Sequence, residues 1–204
     1  MPPAEFDRRL EGRAKAVAPA PEQAAAVRAM RERLPEVRVE FDPVLQSPKW
    51  LAARDGFLTG PRGEGRSISP ATAQAIPAQD PDRPIKALLR EHRALFGHGP
   101  EVLPASRRAR DYVTAHNGLR TVVWEQQLEG IPVQDGVLIA NVTRRGELVC
   151  LSSRFAPDPG RAAETEAPRF RQRLRSPRIS ARDAVVKAAE NLGETLALNE
   201  MVPL

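Results

Sequence analysis

The 204-residue sequence predicts an α+β fold, a helix packed on a four-stranded antiparallel sheet, followed by the opening helix of a second, similar unit. Three observations carry that prediction. Apolar residues alternate with period two through residues 121–155, "TVVWEQQLEGIPVQDGVLIANVTRRGELVCLSSRF", and the alternation is interrupted at turn residues. A run at helical spacing, Ile85, Leu88, Leu89, His92 and Phe96, stands before it. A second helical run, Ala184 to Leu192, begins only after a stretch rich in proline and arginine.

Residues 1–80 read as an N-terminal extension and linker, largely irregular and rich in Pro, Ala, Gly and Arg. One helix is predicted there, over 21–34, where Ala24, Val27, Met30 and Leu34 recur at helical spacing and Pro35 ends the run. "VRVEF", Val37 to Phe41, has the composition of a short strand. Leu58 to Pro84 carries too few apolar residues to offset the entropy of ordering it and reads as a low-complexity linker.

The first compact unit is predicted over 82–155. Asp82 stands at the N-cap position of a helix over 82–96, Pro84 fits its first turn, and Gly97 stops it. "ARDYVTAH" then pairs with "LRTVVWEQQL" across a two-residue turn at Asn117-Gly118. In the second of these strands Val122, Trp124, Gln126 and Leu128 share one face, so Gln126 falls among apolar neighbours as a hydrogen-bonded core glutamine. Gly130-Ile131-Pro132 is expected to break the ladder, because proline has no N–H to give and glycine permits a bend. Val137 to Thr143 forms the third strand, Arg144-Arg145-Gly146 the turn, and Glu147 to Ser153 the fourth strand. Residues 156–178 read as a second linker. Residues 179–204 open with a capping box, Ser180 to Asp183, and a helix that ends at Gly193, leaving an incomplete second unit.

Composition and motif content argue against several functions. The net charge of +5 and pI near 10.1 come mostly from arginine, with only four lysines among 31 cations. These arginines are scattered among acids, and at 4% aromatic content the chain has few side chains on which bases could stack, so nucleic acid is not an expected partner. No window is apolar enough to span a membrane, and the N-terminus as it stands lacks the apolar core of a secretory signal. Cys150 is the single cysteine and cannot form an intrachain disulfide; it reads as a buried structural thiol.

The zinc signature "HExxH" is absent, and the inverted "HxxEH" fails because "LLREH" has Leu88 where its first histidine would stand. "GxSxG" does not occur, and "GPRGEG" lacks both the preceding strand and the lysine of a phosphate loop. His92 reads as a satisfied core or boundary residue, and Glu125-Gln126 as strand alternation rather than a catalytic pair. The sequon Asn141-Val142-Thr143 matters only in a glycosylating secretory pathway. No catalytic, cofactor-binding or metal-binding residue is predicted, and the chain is not read as an enzyme.

The segments "PIKALLREHRALFGHGPEVL", "GLRTVVWEQQLEGIPVQDGVLIANV" and "RRGELVCLSSRF", from about Pro84 to Phe155, resemble the propeptide of fungalysin and thermolysin-like metallopeptidases with its FTP motif. "SPRISARDAVVKAAENLG" is similar to the opening helix of the PepSY-like unit that follows it. The specific part of the resemblance is Gln126 or Gln127 together with Gly130, Ile131, Pro132 and Val133. These are the motif positions at which partner contact is expected. Gln134 departs from the family, which usually has an aromatic or apolar residue there.

The resemblance implies a non-catalytic pro-region of a fungalysin-like zinc metallopeptidase, a folding assistant and cleft-blocking inhibitor, here truncated before the peptidase domain. It implies as partner a metallopeptidase catalytic domain, in cis or in trans, and a secreted or extracytoplasmic zymogen, with no cofactor of its own. The alternative it leaves open is a free-standing FTP/PepSY-like binding module or a peptidase inhibitor acting in trans.

Overall fold

A computed structural model describes residues 19–43, 45–166, 168–169, 172, 176 and 178–196. The chain divides into two compact units after Pro159. In the first, the helices are α1 (Pro21–Arg33), α2 (Pro70–Gln74), α3 (Arg83–Glu91) and α4 (Arg93–Phe96). The strands are β1 (Val37–Phe41), β2 (Pro48–Ala53), β3 (Arg107–Val113), β4 (Arg120–Leu128), β5 (Ile131–Val142) and β6 (Leu148–Ser153). All neighbouring strands are antiparallel, in the spatial order β1-β2-β6-β5-β4-β3.

The four strands expected between residues 109 and 153 therefore form, the first of them starting at Arg107, and β1 and β2 extend the sheet beyond β6. The core lies between the sheet and the helices. Val122, Trp124, Leu138, Ala140, Leu148 and Leu151 from the strands meet Met30, Ile85, Leu88, Leu89, Leu95 and Phe96 from the helices in one apolar cluster. Burying such side chains contributes on the order of 1.5–3 kcal/mol each before conformational entropy is set against it.

The stretch expected to be a linker, Leu58 to Pro84, is ordered and packed on this core. Its apolar residues are few, but Leu58, Ile68, Ala73 and Ile76 are all buried. Polar tethers supply the rest. The Leu58 amide donates to the Leu148 carbonyl at 2.7 Å, the Ser67 hydroxyl donates to the Leu58 carbonyl, and Arg83 donates to the Ala73 carbonyl at 2.7 Å. The expected division near residue 80 consequently falls inside a single unit.

The helix predicted over 82–96 is two helices. The backbone leaves helical geometry at His92 (φ −107°, ψ 34°), whose ring is buried with Nε2 3.1 Å from the Ser67 carbonyl oxygen, and Gly97 ends α4 at φ 74°. Asp82 occupies the N-cap position of α3 without making the cap hydrogen bond. Its carboxylate is engaged by Arg108 and Arg120 instead.

The turns also differ from expectation in an instructive way. The β3–β4 connection is a four-residue loop over 115–118, closed by Gly118 N–H to the Thr114 carbonyl (2.8 Å) and Thr114 N–H to the Leu119 carbonyl (2.9 Å). Asn117 uses its side chain to accept from the Leu119 amide, and only Gly118 takes a positive φ, so the two-residue turn expected at Asn117-Gly118 does not form. That turn is found at Glu129-Gly130 between β4 and β5, where both residues are left-handed (φ 52° and 81°) and Leu128 pairs directly with Ile131. The expected break at Gly130-Ile131-Pro132 is thus a hairpin turn followed by continued pairing. The β5–β6 loop is the predicted Arg144-Arg145-Gly146, closed by Thr143 N–H to the Glu147 carbonyl at 2.9 Å with Gly146 at φ 83°.

The second unit contains α5 (Pro159–Glu166), which begins at the division, and α6 (Ala181–Asn191). The first of these lies in the stretch expected to be a linker. The capping box forms as its residues predict, with Ser180 Oγ accepting from the Asp183 amide at 3.1 Å and Asp183 Oδ2 accepting from the Ser180 amide at 3.3 Å. Gly193 follows at φ 80°. No strand is present among the described residues of this unit.

Candidate partner-contact site

The β4–β5 hairpin carries all six motif positions, and its construction follows from the register. Gln127 pairs with Pro132, but Glu125 pairs with Val137, so four residues of β5, Val133 to Gly136, stand opposite Gln126 alone. This wide bulge displaces the chain, with Asp135 in the left-handed region at φ 56°. Gly136 permits the close approach that follows: a Cβ built there would lie 3.1 Å from the Gln126 Cβ and 3.1 Å from the Val133 Cβ. The sequence showed strand alternation and a Gly-Ile-Pro interruption; the three extra residues carry no local signal except Asp135-Gly136, a dipeptide suited to positive φ.

Gln126 is 3% exposed and grips the chain after β6 with both ends of its amide. Nε2 donates to the Ala156 carbonyl at 2.8 Å, and Oε1 accepts from the Ala156 amide at 2.9 Å. A glutamine side chain thereby reproduces a two-bond backbone bridge where the bulge has removed the neighbouring strand pairing. Gln127 is half-buried and points to the other face of the strand.

Beyond this anchor the hairpin projects as an arm. Gly130 and Pro132 are exposed, Ile131 is 44% exposed, and Val133 is half-buried. The structure thus brings Gln126 and Val133 together through Gly136, while Gly130, Ile131 and Pro132 stand at the tip. An apolar pair exposed at a hairpin tip can seat in a complementary surface.

At the sheet edge lies a charged network of which the sequence offered only Asp82, read as a cap. The buried Asp82 carboxylate is held by Arg108 and by Arg120 Nη2 at 3.0 Å, while Asp111 Oδ2 accepts from Arg108 at 2.7 Å and from Arg120 at 2.6 Å. Arg120 also donates to the Pro81 carbonyl at 2.8 Å. The hydrogen bond from Arg120, outweighing partial burial, holds the Asp111 carboxyl below the usual range. Arg108 lies over the Trp124 ring, 5.2 Å from its centroid, and the two residues line a cleft of 250 Å³ with Lys86 and Leu103. The network fixes the start of α3 to the β3–β4 hairpin.

The groups capable of covalent or metal chemistry are dispersed. Burial lowers the pKa of both His92 and His98, and His98 lies between the Phe96 and Phe155 rings at 5.9 Å from each. Burial pushes the Cys150 thiol up, with Asn141 Nδ2 at 3.5 Å as its polar neighbour. Among the described residues no three His, Cys, Asp or Glu side chains gather to hold a metal ion. What the hairpin offers is a shaped surface.

Residues 107–155 match the Fungalysin/Thermolysin Propeptide Motif. The matched span runs from the first residue of β3 to Phe155, just past β6, and so takes in the arm, the bulge and Gln126. It begins after α3 and α4, which the sequence resemblance had included. The motif is a propeptide element rather than a catalytic domain, and it associates this chain with metallopeptidase pro-regions. No curated protein and no solved structure matches the chain.

Proposed function

We propose that the chain is the non-catalytic pro-region of a fungalysin-like zinc metallopeptidase, assisting the folding of the catalytic domain and blocking its cleft until cleavage. The observation that carries this reading is the coincidence of the propeptide motif at 107–155 with a four-stranded layer that ends in an exposed, partly apolar arm. Both tasks require a preformed surface of about 800 Å² per partner and no reactive group of the pro-region's own. Gln126 fixes the base of the arm, and Gly130, Ile131, Pro132 and Val133 make its contacts. The second unit, with its capped helix α6 and exposed Val185 and Leu192, is read as the start of a PepSY-like unit.

The partner in this reading is the catalytic domain, in cis or in trans, and the compartment is extracytoplasmic. Among the described residues no helix is long and apolar enough to cross a membrane. The test is a titration of a thermolysin-like peptidase with the purified chain, paired with refolding of the denatured peptidase in its presence. Inhibition saturating near one equivalent, and a higher yield of refolded activity, are the expected results. A correctly folded chain that does neither at micromolar concentration removes the proposal.

A further inference from the structure

Three loops meet at the end of the sheet opposite the β4–β5 arm: residues 61–63, 115–118 and 144–146. Their contact is close. A Cβ built on Gly118 would stand 2.8 Å from Arg144 Nη2, so the Arg144 guanidinium lies across the β3–β4 loop. A Cβ on Gly146 would stand 3.3 Å from the backbone nitrogen of Arg62. Arg62 itself is held at φ 59°, a left-handed conformation that a side chain with a Cβ disfavours. The result is an exposed tip carrying Arg62, Arg144 and Arg145 from two loops in contact, with the exposed His116 on the third.

Among the described residues, none of these three guanidiniums makes an ion pair or a hydrogen bond. At the edge of the same sheet, by contrast, Arg107, Arg108 and Arg120 are each held by carboxylates. The acids that adjoin these loops in sequence, Glu64 and Glu147, already have partners. Glu147 accepts from Thr143 Oγ1 at 2.7 Å, and Glu64 lies 3.6 Å from Arg83.

We propose that this tip is a docking site for an acidic polypeptide segment, whose Asp or Glu carboxylates engage the three guanidiniums. The arginine fork matches a carboxylate with two parallel N–H donors, which gives geometry as well as charge. A nucleic acid would need aromatic platforms for its bases, and the three loops carry no Phe, Tyr or Trp. A membrane surface would need apolar side chains to insert, and the loops offer only Pro61 and Ala115. The site stands independently of the peptidase reading and lies at the end of the sheet that the arm does not occupy.

The experiment is a fluorescence-anisotropy titration of the full chain with a labelled glutamate-rich peptide at low ionic strength. Saturable binding is expected, weakened about tenfold or more in the Arg62→Gln/Arg144→Gln/Arg145→Gln variant and by added salt. Arg28→Gln/Arg31→Gln/Arg90→Gln, which removes three exposed arginines from helices α1 and α3, should bind like the unmodified chain. Circular dichroism confirms that both variants are folded. Absence of binding, equal affinity in the tip variant, or equal loss in the helix variant overturns the proposal. So does tighter binding to phosphatidylserine vesicles or to single-stranded DNA than to the peptide.

Discussion

Gln126→Leu removes the two-bond bridge to Ala156 while nearly conserving side-chain volume, so it isolates what the glutamine contributes to the fold. Each of the two bonds is worth about 0.5–1.5 kcal/mol net, and because Ala156 is only half-buried its backbone groups can recover some hydration. The expected cost is therefore about 1–2 kcal/mol. Gln126→Glu refines the test, since it keeps an acceptor for the Ala156 amide, loses the donor to the Ala156 carbonyl, and places a carboxyl at a site only 3% exposed. Burial raises the folded-state pKa of that carboxyl above its ordinary value of about 4.3. A group raised in this way destabilises the fold above its folded pKa, and the penalty vanishes below its unfolded pKa. The Glu variant should accordingly be well below the unmodified chain in stability at pH 7 and approach it at pH 4. Urea unfolding followed by tryptophan fluorescence at the two pH values measures both effects. A Leu variant within about 0.3 kcal/mol of the unmodified chain, or a Glu variant with the same deficit at both pH values, would refute the bridge as a stabilising element.

Trp124→Ala truncates a 2%-exposed core side chain and should cost about 3–5 kcal/mol in the same unfolding assay. Gly136→Ala forces a Cβ to within 3.1 Å of Gln126 and Val133 and should cost about 1–3 kcal/mol. Gly130→Ala meets no atom within 4 Å and carries only the left-handed backbone penalty, about 1–2 kcal/mol. A Gly136→Ala variant within about 0.5 kcal/mol of the unmodified chain would show that the bulge packing is misread. For Glu91, burial pushes the carboxyl up, but hydrogen bonds from Thr72, Ser69 and Arg33 prevail and hold its pKa down at about 2. A depressed carboxylate stabilises the fold above its ordinary value of 4.5, and that stability is lost as pH falls toward 2. Glu91→Gln should be less stable at neutral pH and show a flatter stability profile across that window, measured by thermal unfolding.

The strand alternation of β4 was legible because a half-buried strand must alternate, and Val122, Trp124 and Gln126 do face the core. The Arg144-Arg145-Gly146 loop was legible because glycine at its last position meets a definite demand for positive φ. What stayed hidden depends on partners distant in sequence. β2 reads "PKWLAA", with a proline, a lysine and two alanines, and is a strand because β1 and β6 pair with it on either side. The segment from Leu58 to Pro84 looked like a linker because its buried residues are spaced too widely for any local period, although each one lands on the core. Asp82 showed a cap residue in one dimension and an arginine-held buried carboxylate in three. At the arm, Gly130 and Pro132 were conspicuous, but the bulge behind them is a matter of register, and register belongs to pairs of strands.

The limits of the propeptide motif do not coincide with the limits of what can fold. A polypeptide cut to residues 107–155 would retain four strands and lose α1 to α4, leaving Val122, Trp124, Leu138 and Leu148 facing water. It would lose the Asp82 carboxylate that holds Arg108 and Arg120, and it would bare the edge of β6 where β2 now pairs. Such a sheet has every property of a self-associating species: an unpaired hydrogen-bonding edge, an apolar face and no covering layer. Recombinant work on the arm should therefore keep α1 to α4 with the strands, since the stretch upstream of the motif is the other wall of the same core.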